Sequence, residues 1–145
     1  MEFNRSEKRT PATGLRSHLE AEAAARARGR LSEESVFSIC TVLFLERELR
    51  FLTDLPRMAT IKQDRSGIDI VCPSDVGELY LQVKSSALRA QRFRETRKKR
   101  GFKAEIGIVV AHHDDPLVTA ERVVSTLHRT RAAVRRAQAV ARGRH

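Results

Sequence analysis

The stretch that most restricts what this chain can fold into is residues 67–84, GIDIVCPSDVGELYLQVK. Residues 78–84 alternate apolar and polar side chains, the period of a strand with one covered face. Leu79, Leu81 and Val83 then point one way, and Tyr80, Gln82 and Lys84 the other. Residues 67–72 are rich in β-branched side chains and read as a second strand. Residues 73–77 between them carry Pro, Ser, Asp and Gly, a turn composition. The pair reads as a hairpin that brings Asp69 close to Gln82. One face of it gathers a carboxylate, an amide oxygen and an ammonium.

The flanking segments extend this hairpin into a layered α/β fold. Residues 15–28, rich in Ala, Glu and Arg, read as an exposed helix closed by Gly29. Ser32 with Glu33, Glu34 and Ser35 opens a second helix, expected to run to about Leu52 and to stop before Pro56. Residues 58–63 are a short strand candidate. Residues 87–100 form a basic helix before Gly101. Residues 104–111, AEIGIVVA, read as a buried strand, and residues 117–142 as a long final helix. Three strands joined by tight turns favour an antiparallel meander. The helix before the last strand lets that strand add in parallel. The expectation is an α/β sandwich whose mixed central sheet is flanked by helices.

A chain of 145 residues suits one domain with a single core. The expected division is residues 1–14 disordered, a core over about 32–127, and a basic C-terminal helix and tail over 128–145. No run of 18 apolar residues exists to span a membrane, and the N-terminus MEFNRSEKRT lacks the apolar segment of a secretory signal. Cys40 and Cys72 lie inside apolar segments and read as buried thiols of a reducing compartment. A cytoplasmic, nucleoid-associated protein of prokaryotic type is expected. The formal charge of +10 is concentrated in residues 89–100 and in the tail from Arg129. Such density repels itself unless a polyanion relieves it, and nucleic acid is the usual partner. One Tyr, six Phe and no Trp leave little for base stacking, so contact is expected through the phosphate backbone.

Phosphodiester hydrolysis needs the set of groups that the hairpin gathers. Mg²⁺ takes one or two carboxylates plus water and phosphate oxygens, polarises the phosphate and lowers the pKa of a bound water. A neighbouring Lys can orient that water or stabilise charge on the phosphate. SGIDIVC followed by LYLQVKSS resembles the Asp…(Glu/Gln)-x-Lys signature of the PD-(D/E)XK nuclease superfamily. The order helix, three strands, helix, strand is similar to that superfamily's restriction-endonuclease-like α-β-β-β-α-β core, with extra helices at both ends. The resemblance covers roughly residues 32–111. ERELRFL and the later SG resemble the start of Holliday-junction resolvases. The Gln-x-Lys form resembles Mrr-like enzymes and small intron-encoded homing endonucleases.

The resemblance implies an endonuclease acting on DNA with Mg²⁺ or Mn²⁺. Asp69 and the Gln82 side-chain oxygen would be metal ligands, with the Val83 backbone carbonyl, and Lys84 would be the catalytic lysine. The superfamily often adds a Glu from the first helix. Glu46 is the candidate because it shares a helical stripe with Ile39, Val42, Leu43 and Leu49. Glu34 and Glu48 are weaker alternatives. Gln82 departs from the usual Glu, and a neutral amide is the weaker Mg²⁺ ligand. A nuclease-fold module that binds without cutting therefore stays open, as does an RNA-cleaving enzyme.

Ser85 and Ser86 precede the basic helix and suit either a phosphate or an ordinary helix cap. Arg89 and Arg92 are candidate phosphate contacts. His112, His113, Asp114 and Asp115 form a possible metal cluster, but Asp115 before Pro116 reads more simply as a helix cap. A duplex has two strands to cut and each chain carries one site, so a homodimer is expected. Leu117, Val118, Val123, Val124 and Leu127 let the last helix pack on the sheet or on a second copy.

Overall fold

The computed structural model describes residues 11–100, 105–112 and 115–143. Its elements in chain order are α1 (Pro11–Leu45), β1 (Arg57–Met58), α2 (Ile61–Arg65), β2 (Ile70–Ser74), β3 (Gly77–Lys84), α3 (Ala87–Arg100), β4 (Ile106–Val110) and α4 (Pro116–Gly143). The four strands form one sheet in the order β1-β2-β3-β4. β1, β2 and β3 pair antiparallel, and β4 joins β3 in parallel. The expected mixed α/β sheet is present. Among the described residues no helix is long and apolar enough to cross a membrane.

Local chemistry accounts for the hairpin. Ile70 pairs with Leu81 and Ser74 with Gly77, which leaves Asp75 and Val76 as the turn. The Ser74 hydroxyl donates to the Gly77 carbonyl at 2.6 Å and accepts from the Val76 N–H at 3.2 Å. The strand thus continues through Pro73, which the sequence assigns to the turn. Arg131 of α4 grips the Asp75 carboxylate through two nitrogens, at 2.9 and 2.6 Å. Gln138 reaches the Val76 carbonyl at 2.9 Å. The last helix is therefore tied to the hairpin turn as well as packed on the sheet.

Leu79, Leu81 and Val83 enter the main core with Ile70, Cys72 and Val109, and with Val36, Cys40 and Leu43 of α1 and Val123 and Leu127 of α4. The opposite face holds a smaller cluster of Ile68, Val71 and Ile106, with Tyr80 packed against it. Cys40 and Cys72 are free and buried. A hydrogen bond with the Cys72 thiol, and then burial, pushes the Cys40 thiol up, which keeps it protonated.

Four boundaries differ from the sequence reading. Residues 11–14 are helical, and α1 runs straight through Gly29 to Leu45. The left-handed glycines are Gly67 and Gly77, so Gly29 does not cap a helix end. α1 stops at Leu45, and Arg47 takes a left-handed turn at φ 54°. Residues 58–63 do not form one strand. Thr60 accepts from the Gln63 N–H while the Gln63 side chain accepts from the Thr60 N–H, a capping box that starts α2 and cuts β1 to two residues. In α4, Thr119, Val123, Thr126, Leu127 and Thr130 are buried, and Leu117 is 75% exposed. Asp115 caps that helix, accepting from the Leu117 and Val118 N–H groups at 3.1 and 3.2 Å. His113, Asp114 and Gly101 lie outside the described residues.

Candidate active site

β3 separates its side chains by parity, so Gln82 and Lys84 leave the main core and face the α3 side. Asp69 immediately precedes β2. Its carboxylate Oδ2 accepts the Val83 N–H at 2.7 Å, and its own N–H donates to the Leu81 carbonyl at 2.8 Å. The two bonds hold Asp69 against β3 on either side of Gln82. Asp69, Gln82 and Lys84 are thus brought together, as the hairpin pattern implies. Val83 gains a role that the sequence does not reveal, because its N–H fixes the carboxylate.

Gln82 is 7% exposed, and its Oε1 is buried without a hydrogen-bond partner. An unsatisfied buried acceptor costs roughly 1–3 kcal/mol, so a protein retains one where something else uses it. Phe93 of α3 roofs this spot. The Lys84 ammonium lies 4.9 Å from the Phe93 ring centre. Gly67 sits beneath the ring at φ +87°, where a Cβ would fall 2.6 Å from two ring carbons and 3.7 Å from Gln82 Oε1. Only glycine meets both conditions.

The electrostatics of the site are those of an excess of carboxylate. Burial pushes the Asp69 carboxyl up to about 7, against the pull of the Val83 N–H. The charges of Glu33 and Asp64 push it further, and Lys84 opposes them. Glu33 is also raised, first by burial, then by Asp64, with Lys84 again opposing. Three carboxylates and one ammonium therefore share a field, and a cation would relieve it.

The first-helix carboxylate in this field is Glu33, not Glu46. Glu46 is exposed in the turn that follows α1. About 18 Å of helix axis separates Glu33 from the end of α1. Of the stripe assigned to Glu46, Leu43 and Leu49 are buried and Ile39 packs against the core, but Val42 is 54% exposed and Glu46 itself lies beyond the end of the helix. The buried stripe is Ser32, Val36, Cys40 and Leu43. Glu33 stands three and seven positions before Val36 and Cys40, a spacing that marks it as the carboxylate beside the buried face. Glu34 and Glu48 are exposed. Asp64 directly follows the strand candidate over residues 58–63, and the Thr60–Gln63 capping box is the sequence signal for the helix that presents it.

Among the described residues no three His, Cys, Asp or Glu side chains form a ready-made metal cluster. The donor set here is mixed. The Asp69 carboxylate and the orphaned Gln82 amide oxygen, with Glu33 behind them, fit a hard cation that keeps several waters. Ser86 is a helix cap, its Oγ accepting the Arg89 N–H at 3.2 Å. Ser85 is half-buried between Lys84 and α3, and Arg89 and Arg92 are exposed on α3. No protein-family model, curated protein or solved structure matches the chain.

Proposed function

We propose that the protein is a divalent-metal-dependent endonuclease that hydrolyses DNA phosphodiester bonds on a restriction-endonuclease-like core. The observation that carries the reading is the buried, unpartnered Gln82 Oε1 beside Asp69 and Lys84. The order α1, β1–β3, α3, β4, with β4 parallel to β3, supports it.

Asp69, the Gln82 oxygen and the Val83 carbonyl would hold Mg²⁺ or Mn²⁺, with Glu33 as the outer carboxylate. Bound there, the ion polarises a phosphate oxygen and lowers the pKa of a water. Asp69 keeps its place through the Val83 N–H. Lys84 holds its ammonium beside the carboxylates, where it can donate to the attacking water or to the phosphate. Phe93 shields this ammonium on one side, and exclusion of water there strengthens each charge interaction.

The test is a panel of linear, supercoiled and branched DNA and of RNA, incubated with Mg²⁺ or Mn²⁺. DNA cleavage that Asp69→Ala and Lys84→Ala both abolish, in folded protein, is the expected outcome. Cutting retained in both variants overturns the assignment. Gln82 favours a second reading, because a neutral amide leaves the site one negative charge short of the usual arrangement. A protein that binds DNA but yields no product under any of these conditions is a nuclease-fold binding module.

A further inference from the structure

α4 carries Arg122, Arg129 and Arg136 at every seventh position, a single stripe along the helix. The stripe faces the outer edge of β4, the last strand of the sheet. Across that edge α3 contributes Arg94 and Arg97. A cavity of about 410 Å³ lies between the two helices over Ile106, Gly107 and Ile108. A second, of about 250 Å³, continues along the same edge past Val110 to Ala87, where α3 begins. Five arginines line the combined groove, and Glu105 is the one acid among its lining residues. From Arg122 to Arg136 the stripe is roughly 21 Å long, about six base-pair rises of a duplex.

From this arrangement we infer that the β4 edge groove is a binding track for the phosphate backbone of nucleic acid, separate from the Asp69 site. Three observations select that occupant. First, converging guanidiniums repel one another unless anions enter, and their planar forks match phosphate oxygens. Second, the open edge does not invite another strand. The Ile106 carbonyl accepts from Arg97 at 3.4 Å and the Val110 carbonyl from Arg122 at 3.0 Å, so the acceptors at both ends of the edge are already capped. A second copy of the chain would set arginines against arginines. Third, no aromatic ring lines the groove, so it offers charge without a stacking platform for bases. The track also leads somewhere. Val110 at its upper end pairs in register with Lys84, so a backbone seated along β4 continues toward the Lys84 end of β3.

The inference rests on the nucleic-acid half of the proposed function and not on its hydrolytic half. The experiment is therefore a binding titration in EDTA, using a short fluorescein-labelled duplex of scrambled sequence across a salt series. Arg129→Glu with Arg136→Glu reverses two groove charges. Arg135→Glu with Arg142→Glu makes the same change on the same helix outside the groove. Both residue pairs are exposed, and circular dichroism checks that each variant folds. The groove variant should lose at least about tenfold in affinity, and its log–log salt slope should flatten by about 2, since each phosphate contact contributes roughly 0.9. The control variant should keep the wild-type slope. Equal losses in the two variants, or wild-type binding by the groove variant, overturn the track. So does displacement of the duplex by polyglutamate at equal charge, which would make the groove a dock for acidic protein. A chain that binds through the groove but never cuts keeps the track and loses only the hydrolytic reading. A chain that cuts although its groove variant binds normally loses only the track.

Discussion

Asp69 is buried where an ionised carboxylate is costly, and its carboxyl rises from 3.8 to about 7. Its folded value thus exceeds its unfolded value, so between about pH 4 and 7 the folded state holds the extra proton. Stability from this group is complete below the unfolded value and is lost as the pH rises through the folded one. Three pKa units correspond to about 4 kcal/mol, a ceiling for what ionised Asp69 removes. Asp69→Asn keeps an oxygen for the Val83 N–H and deletes the charge. In EDTA at pH 8 the variant should be more stable than the parent by about 2–4 kcal/mol, and the gap should close toward pH 4. Urea midpoints across pH measure it. A gap that stays constant with pH would place the effect elsewhere. A site residue that weakens the fold in this way fits a group placed for binding rather than for stability.

Two glycines inside regular elements have opposite effects. Gly29 lies within α1 and a Cβ there would meet nothing within 4 Å. Its backbone is helical, so the glycine only adds freedom to the unfolded chain. Gly29→Ala should stabilise by about 0.5–1 kcal/mol. Gly107 lies where α4 crosses β4, and a Cβ there would overlap Thr130 Oγ1 and lie 2.6 Å from Thr126 Cγ2. The close approach of α4 to the sheet depends on that missing side chain. Gly107→Ala should destabilise by about 1–3 kcal/mol, the usual range for overpacking, by pushing α4 outward. Denaturant midpoints at unchanged m-value check both signs. Because Gly107 also floors the arginine groove, its alanine variant should weaken duplex binding as well.

At the scale of the whole molecule the sheet separates two charge environments. The excess carboxylate lies at the Asp69 end of the hairpin, and arginines line the β4 edge. A duplex has two strands and each chain one site, so we expect a homodimer, with the like-charged β4 edges kept apart. Sedimentation velocity at micromolar protein, with and without a duplex, reads this directly. A dimer should give double-strand products from a cleavable duplex. A monomer under both conditions overturns the dimer and leaves nicked DNA as the expected product.

The hairpin was legible in the sequence because strand parity is local. Alternation over seven residues is enough to put Gln82 and Lys84 on one face, and antiparallel pairing then brings Asp69 beside them. The basic helix over residues 87–100 and the parallel addition of β4 followed from similarly short-range signals. The rest depended on which way each helix is rolled against the sheet. The end of α1 at Leu45 and the face it buries decide for Glu33 over Glu46, and the sequence offers an apolar stripe for either choice. Asp64 enters the site only because a capping box turns the chain into α2 before β2 begins. The arginine groove needs α3 and α4, with β4 between them in the chain, to meet across one strand edge. The sequence by itself determined which groups share the hairpin face, since backbone geometry sets that within a few residues. Tertiary packing alone decided which distant carboxylates and arginines join them, because helix rotation is set by contacts far apart along the chain.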